Sequence, residues 1–169
     1  MSKTNAGRFF EDYTLGETIT HAVPRTVGQG ERALYHALYP SRFALTSSDA
    51  FARACGLPTA PLDELITFHT VFGKTVPDIS LNAVANLGYA SGSWARPGYP
   101  GETLRATSAV IGLKQNSNGK SGVGWVRTEG RDEHDVLVLE YVRWVMVRKG
   151  NLEAPAPETV VPVLPAAVP

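Results

Sequence analysis

The segment Leu62–Gly73, LDELITFHTVFG, constrains the fold of this chain more than any other stretch. Leucine, isoleucine, valine and phenylalanine lie around most of its helical circumference, and Asp63 and two threonines share one narrow side. A helix that is apolar around most of its surface belongs inside a protein. Pro61 can begin the helix without losing a hydrogen bond, and Gly73 can end it. The pattern therefore predicts one buried helix.

The segment that follows, Ile79–Arg148, has the pattern of strands and turns. Pro97–Gly101 is a strong break, and an Asn-Gly pair within Lys114–Lys120 marks a hairpin loop. The predicted strands are Thr18–Thr26 at an edge, Ile79–Ala95, Glu102–Leu113, Ser121–Glu129 and Val136–Lys149, and the predicted additional helices are Val27–Tyr39 and Asp49–Cys55. We expect an α+β fold, in which an antiparallel sheet of five or six strands wraps around the central helix.

Composition excludes several classes of protein. The 169 residues carry sixteen basic and sixteen acidic side chains, which argues against binding of nucleic acid through a basic face. Cys55 is the single cysteine, so neither an internal disulfide nor a cysteine-based metal cluster is expected. No apolar run reaches the length of about 18 residues that a membrane span needs. The first residues lack the apolar core of a signal peptide. We therefore expect a soluble cytoplasmic protein with no membrane partner.

The last part of the chain differs in character from the rest. Residues 151–169, NLEAPAPETVVPVLPAAVP, are rich in proline, alanine and valine and show no helical or strand period. This composition is typical of an extended linker or tail. The sequence therefore predicts one domain over residues 1–150 and a linker that leads to a further part of the protein.

Three stretches resemble the MaoC-like hydratases and dehydratases, which have the hot-dog fold. They are FEDYTLGE at Phe10–Glu17, RPGYPGETL at Arg96–Leu104 and KQNSNGKSGVGWVRTEG at Lys114–Gly130. Two more stretches, Ser41–Pro58 and Phe68–Ala90, resemble the amino-terminal half of a member that contains two hot-dog domains. The resemblance implies reversible addition of water to a branched, dicarboxylic enoyl-coenzyme A. It implies no metal and no cofactor, because the coenzyme A thioester is the substrate.

The family's acid–base residues are missing at their expected positions. In the family, an Asp and a His act from the pattern Asp-x-Asn-Pro-x-His. Here the Asp falls on Ser41, the Asn on Phe43 and the His on Thr46. Neither serine nor threonine titrates near neutral pH, so neither can carry the proton. The resemblance therefore predicts a catalytically degenerate half, with the Asp/His pair in a partner half.

Six residues are candidates for substrate binding: His69, Lys74, Arg96, Lys114, Asn116 and Lys120. His69 is either a core histidine bonded to a backbone carbonyl or a contact to the acyl group or to a partner loop. The hairpin lysines either bind the phosphates of coenzyme A or belong to an ordinary solvated hairpin. Asn82 and Asn86 lie in an apolar strand and need partners. Their amides bond either the backbone or a polar acyl group.

Two hypotheses from different classes follow. The chain is either the amino-terminal half of an enoyl-coenzyme A hydro-lyase or a non-catalytic acyl-thioester-binding or scaffold subunit that pairs with a separate active subunit. A single hot-dog domain leaves a sheet edge uncovered, and such edges are usually protected. We therefore expect side-by-side pairing with a second half or with a second copy of the chain.

Overall fold

The computed structural model describes residues 6–164. Its helices are α1 (Gln29–Leu38), α2 (Ala44–Ser47), α3 (Asp49–Ala54) and α4 (Glu64–Thr75), and its strands are β1 (Thr18–Thr20), β2 (Arg25–Thr26), β3 (Ala83–Trp94), β4 (Thr103–Gln115), β5 (Ser121–Arg131) and β6 (Leu137–Arg148). A 3₁₀ turn covers Phe10–Asp12, and a π-helical turn covers Val76–Ser80. Within the described range, no helix is both long and apolar enough to cross a membrane. The parts of the predicted domain and tail that fall on residues 1–5 and 165–169 lie outside the described residues.

The strands form one antiparallel sheet in the order β1-β4-β5-β6-β3, with β2 also paired to β4. The four long strands β3 to β6 follow α4 in sequence, and the helix lies on one face of the sheet that they form. Val71 of α4 meets Gly130 of β5 so closely that a Cβ on the glycine would lie 2.5 Å from a Val71 methyl carbon. The predicted sheet wrapped around a central helix is confirmed.

The central helix begins and ends later than predicted. The carboxylate of Asp63 accepts a hydrogen bond from the Leu65 N–H at 2.9 Å, which sets the helix start. Gly73 does not end the helix, because Val76–Ser80 continues it as a π-helical turn. For the same reason β3 begins at Ala83, four residues after the predicted strand start.

The predicted edge strand Thr18–Thr26 is two short strands. Both β1 and β2 pair with β4, and the chain bulges between them. Val23 in this bulge has a positive φ of 64°, which is unusual for a β-branched residue. The bulge leaves His21 pointing into the protein, where its side chain is completely buried.

Two apolar clusters form the core along α4 and the sheet. One contains Phe10, Tyr13, Ile19, Ile79, Val110, Leu113, Val126, Val145 and Val147. The other contains Val27, Leu62, Ile66, Val71, Leu104, Ala106, Val138, Leu139 and Tyr141. Hydrogen-bonded polar side chains also lie in the interior, and we call them the polar layer: His21, Thr75, Ser108, Thr128 and Arg143, which are buried, and Asp78, whose side chain is 26% exposed.

Strand β3 leaves one edge of the sheet open. Within the described residues it pairs only with β6. Large apolar side chains are exposed on and beside it: Leu87 is 45% exposed, Trp94 is 41% exposed, and Leu65 on the adjoining face of α4 is 46% exposed. The central helix is therefore buried on its sheet side only, and its other side lies open next to an unpaired strand edge.

The start of the predicted linker is held against the domain. The Lys149 ammonium donates to the Ala154 carbonyl at 2.6 Å. Further along, Val160 and Leu113 exchange backbone hydrogen bonds of 2.8 and 2.9 Å, so the tail extends the β4 edge by one bridge. Its role as a linker between two domains stays a prediction.

Candidate functional site

The two positions on which the resemblance places the acid–base residues lie close together, Ser41 in the loop before α2 and Thr46 within that helix. The hydroxyls of Ser41 and Thr46 are 3.4 Å apart. The Phe43 N–H donates to Ser41 Oγ at 3.1 Å, and Thr46 Oγ1 donates to the Phe43 carbonyl at 3.2 Å. Thr46 is 2% exposed. The chain thus holds two hydroxyls close together here, and neither titrates near neutral pH.

A cavity of about 260 Å³ lies beside this pair, at the start of α4. Its walls are formed by Phe43, Leu45, Thr46, Pro61, Leu62, Glu64, Thr67, Trp94, Ala95, Arg96, Pro97 and Gly98. Glu64 and Arg96 are the ionisable side chains of this lining, and it contains no imidazole. The Leu65 N–H at the start of α4 already donates to the Asp63 carboxylate, so this backbone donor is not free to bind a substrate oxygen. The cavity is therefore poorly equipped for proton transfer.

Arg96 lies at this cavity but is already paired. Its guanidinium donates to Glu102 at 2.8 Å and to Asp132 at 2.5 Å. Burial opposes the charge, yet the hydrogen bonds to these two carboxylates raise the pKa of Arg96 above its ordinary value. Two carboxylates thus compensate the positive charge, and its predicted contact with coenzyme A stays a prediction.

The hairpin residues lie at the opposite end of the sheet from Arg96. Strand β4 runs thirteen residues from one end to the other, which spans about 40 Å. Lys114 and Lys120 are exposed there, while the Asn116 amide donates to Ser121 Oγ at 2.8 Å and stabilises the turn. The structure therefore keeps these residues together but apart from Arg96.

His69 and Lys74 lie in a third region. His69 is exposed, so the expectation that it is a core histidine is wrong, because α4 is covered on its sheet side only. It lines a groove of about 240 Å³ between α1 and α4, together with Tyr35 and Leu38. Lys74 donates to the Val23 carbonyl, and burial lowers the pKa of Lys74. The six predicted binding residues thus occupy three separate regions of the chain.

The two strand asparagines have different partners. The Asn82 amide donates to the carbonyls of Ala6 and Arg8 at 2.9 and 3.2 Å, so the backbone satisfies it. Asn86 is exposed on β3, and its amide donates to the Tyr89 hydroxyl at 2.5 Å.

The sequence reasoning missed a buried hydrogen-bonded chain in the polar layer. His21 Nδ1 lies 2.8 Å from the Asp78 carboxylate, His21 Nε2 lies 2.8 Å from Ser108 Oγ, and Ser108 Oγ lies 2.8 Å from Thr128 Oγ1. A carboxylate only accepts, so Nδ1 carries the ring proton and Nε2 accepts from Ser108. A correct strand register could have indicated part of this hydrogen-bonded network, because Ser108 and Thr128 lie directly opposite each other on β4 and β5.

This Asp/His pair is not placed to act as an acid–base pair on a substrate. Both ring nitrogens of His21 are occupied by protein partners, and its side chain has no exposed surface. Burial lowers the pKa of His21, although the hydrogen bond that Nδ1 donates to Asp78 opposes this, so the neutral imidazole is favoured. A proton carrier must reach the substrate. The pair therefore connects β1 to the π-helical turn, as a structural element.

Sequence comparison identifies the relatives of this chain. The sequence model of the mesaconyl-CoA hydratase family matches residues 1–157. The chain belongs to that family. It is 73% identical over 166 residues to the mesaconyl-CoA hydratase of Cereibacter sphaeroides, and 62% identical over 168 residues to the β-methylmalyl-CoA dehydratase of Chloroflexus aurantiacus. These alignments cover 98% and 99% of the chain but 48% of each relative, so the chain spans about half their length. The resemblance of Ser41–Pro58 and Phe68–Ala90 to one half of such a protein agrees with this match.

Solved structures identify the fold. A crystal structure of a MaoC domain protein dehydratase from Chloroflexus aurantiacus superimposes with a TM-score of 0.95 at 62% identity, over 100% of this chain and 48% of that one. A Mycobacterium tuberculosis protein described as a double hot-dog fold superimposes with a TM-score of 0.78 at 24% identity, over 91% of this chain and 53% of that one. The predicted MaoC-like hot-dog fold is confirmed.

Proposed function

We propose that this chain is the non-catalytic half of an enoyl-coenzyme A hydro-lyase that reversibly hydrates mesaconyl-coenzyme A. The observation that carries the proposal is the pair Ser41 and Thr46, which stands where the family expects an Asp and a His. The names of the two curated relatives supply the reaction, and their length favours a second half over a separate subunit. The cytoplasm is the expected location.

Hydration of a conjugated thioester defines what the second half must provide. A base activates water, an acid delivers a proton to the α carbon, and a donor stabilises the enolate-like thioester oxygen. In this chain the corresponding loop offers two hydroxyls, and the nearby cavity offers one carboxylate, Glu64, and the paired Arg96. We therefore assign the acid–base chemistry to the second half. The thioester is the substrate, and the reaction as proposed uses no further cofactor.

The open side of the domain supports a role in assembly. The unpaired edge of β3 can continue into a second hot-dog sheet, and Leu65, Leu87 and Trp94 supply apolar surface beside it. Such an edge is normally covered. The hairpin lysines Lys114 and Lys120 are the proposed contacts for the phosphates of coenzyme A.

A turnover assay on the complete two-half protein tests the proposal. Ser41→Ala and Thr46→Val should each leave kcat for mesaconyl-coenzyme A within a few-fold of the wild type, measured by loss of the conjugated thioester absorbance. The matched controls are alanine substitutions of the Asp and His that the proposal places in the second half. Loss of a true acid–base catalyst costs on the order of 10² to 10⁴ in rate. A loss of that size for Thr46→Val, in a protein that circular dichroism shows to be folded, would contradict the assignment.

A further inference from the structure

Arg143 is a completely buried cation. It is 0% exposed on the inner face of β6. Its guanidinium donates to Thr75 Oγ1 at 2.8 Å and to Ser80 Oγ at 3.4 Å, and it lies 4.6 Å from the centre of the Phe72 ring. In the described part of the chain no carboxylate forms an ion pair with it. A buried charge is strongly unfavourable until an opposite charge compensates it.

Two buried hydrogen-bond donors lie at this position, Arg143 Nε and the hydroxyl of Tyr141. Among the described residues, neither has an acceptor at full hydrogen-bonding geometry. Thr128 and Thr75 lie close enough to the hydroxyl to lower the pKa of Tyr141, against the burial that raises it. Arg143 and Tyr141 are neighbours on one face of β6, about 7 Å apart along the strand. Nearly all buried polar groups in proteins are hydrogen-bonded. One carboxylate could satisfy both donors, because it offers two accepting oxygens.

Aromatic rings connect this position to the open edge of the sheet. Phe68, Phe72, Tyr89 and Tyr141 form an aromatic cluster, with ring centres 5.2 to 6.3 Å apart. Tyr89 is directly opposite Arg143 in the β3–β6 register and is 47% exposed. The exposed Tyr89 thus neighbours the buried Arg143, and a group that approached from the β3 edge would meet aromatic surface before the guanidinium. The β3 edge is the side that the second half is proposed to cover.

We propose that Arg143, assisted by the Tyr141 hydroxyl, binds the free carboxylate of the dicarboxylic acyl group. This inference rests on the proposed function and adds to it the residues that select the substrate. The apolar carbons of the acyl group would contact the aromatic cluster, whose rings must shift to admit it, and the carboxylate would pair with the guanidinium. A substrate that lacks the carboxylate leaves the buried donors unpaired and is therefore rejected. A side-chain carboxylate from the second half has the same chemistry, and the experiment separates the two sources.

The test compares two thioesters on the complete two-half protein: mesaconyl-coenzyme A and 2-methylcrotonyl-coenzyme A, in which a methyl group replaces the carboxylate. The measured quantity is the ratio of their kcat/KM values. Arg143→Met should lower this ratio about 10- to 100-fold, because it removes a charged hydrogen-bond partner. Arg143→Lys should retain part of it, and Tyr141→Phe should lower it less than Arg143→Met. Arg127→Met is the matched control, since Arg127 is an exposed arginine on the adjacent strand β5.

Each outcome decides the matter. An unchanged ratio in folded Arg143→Met overturns the inference. So do equal losses of kcat/KM for both thioesters together with a lower melting temperature. Either result indicates a structural arginine or one that is paired to the second half. If Arg143→Met does not fold, Tyr141→Phe decides by the same ratio, because it removes only one hydroxyl. If the wild type hydrates neither thioester, the proposed function itself is overturned, and this inference with it.

Discussion

The contact between Phe10 and Gly122 gives a quantitative prediction about the Phe-Glu-Asp-Tyr motif at residues 10–13. A Cβ added to Gly122 of β5 would lie 2.2 Å from Phe10 Cζ and 2.4 Å from both Cε atoms. Phe10 is 0% exposed and belongs to the first apolar cluster, so its ring has no free space into which to move. An ordinary carbon contact needs about 3.5 to 4.0 Å. The ring would therefore have to move by more than 1 Å.

Gly122→Ala should destabilise the fold by about 1 to 3 kcal/mol, the usual cost of overpacking a core. Its matched control is Gly124→Ala, two residues along the same strand on the same face. There the new Cβ would lie 3.7 Å from Leu113 Cδ2, which is an ordinary contact. Both changes restrict the unfolded chain equally, which by itself stabilises by about 0.4 to 1 kcal/mol. Gly124→Ala should therefore be neutral or slightly stabilising.

The assay is thermal unfolding of the 169-residue chain followed by circular dichroism. For a chain of this size, 1 kcal/mol corresponds to about 2 to 4 °C, so Gly122→Ala should melt roughly 2 to 12 °C below the wild type. Phe10→Leu combined with Gly122→Ala should recover part of the loss, because the smaller side chain leaves room for the methyl group. Equal melting temperatures for Gly122→Ala and Gly124→Ala would refute the argument that the Phe10 ring is fixed against β5.

Three further predictions concern pH, coenzyme A and assembly. Because burial lowers the pKa of His21, the unfolded chain gains this proton before the folded chain does as the pH falls below about 6.5. The urea midpoint of unfolding should therefore drop between pH 7.5 and 5.5, a range above that in which carboxylates titrate, and should drop less in His21→Gln. Equal drops in the two proteins would contradict this. The double variant Lys114→Ala/Lys120→Ala should weaken binding of acyl-coenzyme A to the complete protein, and more so at low salt, where charges are screened less. Unchanged affinity in calorimetry would show that the hairpin is ordinary solvated surface without a role in binding. Leu87→Asp should reduce self-association of the isolated chain, measured by sedimentation velocity at micromolar concentration. Val163→Asp is the control and should not reduce it, because Val163 is 99% exposed. A wild-type chain that is already monomeric would count against pairing through β3.

The sequence by itself determined the elements whose signals are local. The apolar circumference of Leu62–Gly73 predicted the central helix, and the glycine and proline breaks separated the long strands that follow it. Those patterns depend on residues within one or two turns of each other, so a single chain is enough to read them. The motifs from Phe10 to Gly130 also indicated the MaoC-like fold. The replacement of the family's acid–base pair by Ser41 and Thr46 follows from the same resemblance and stays a prediction.

Tertiary structure alone decided which polar groups meet. His21 and Asp78 are 57 residues apart and come together only because the chain bulges between β1 and β2 while α4 continues into a π-helical turn. The two-residue period places Arg143 on the same face of β6 as Tyr141, but the groups around its guanidinium, Thr75 and Phe72, come from the helix. Local periodicity specifies which face a side chain occupies, whereas partners, burial and the open β3 edge depend on the register and packing of segments distant in the chain.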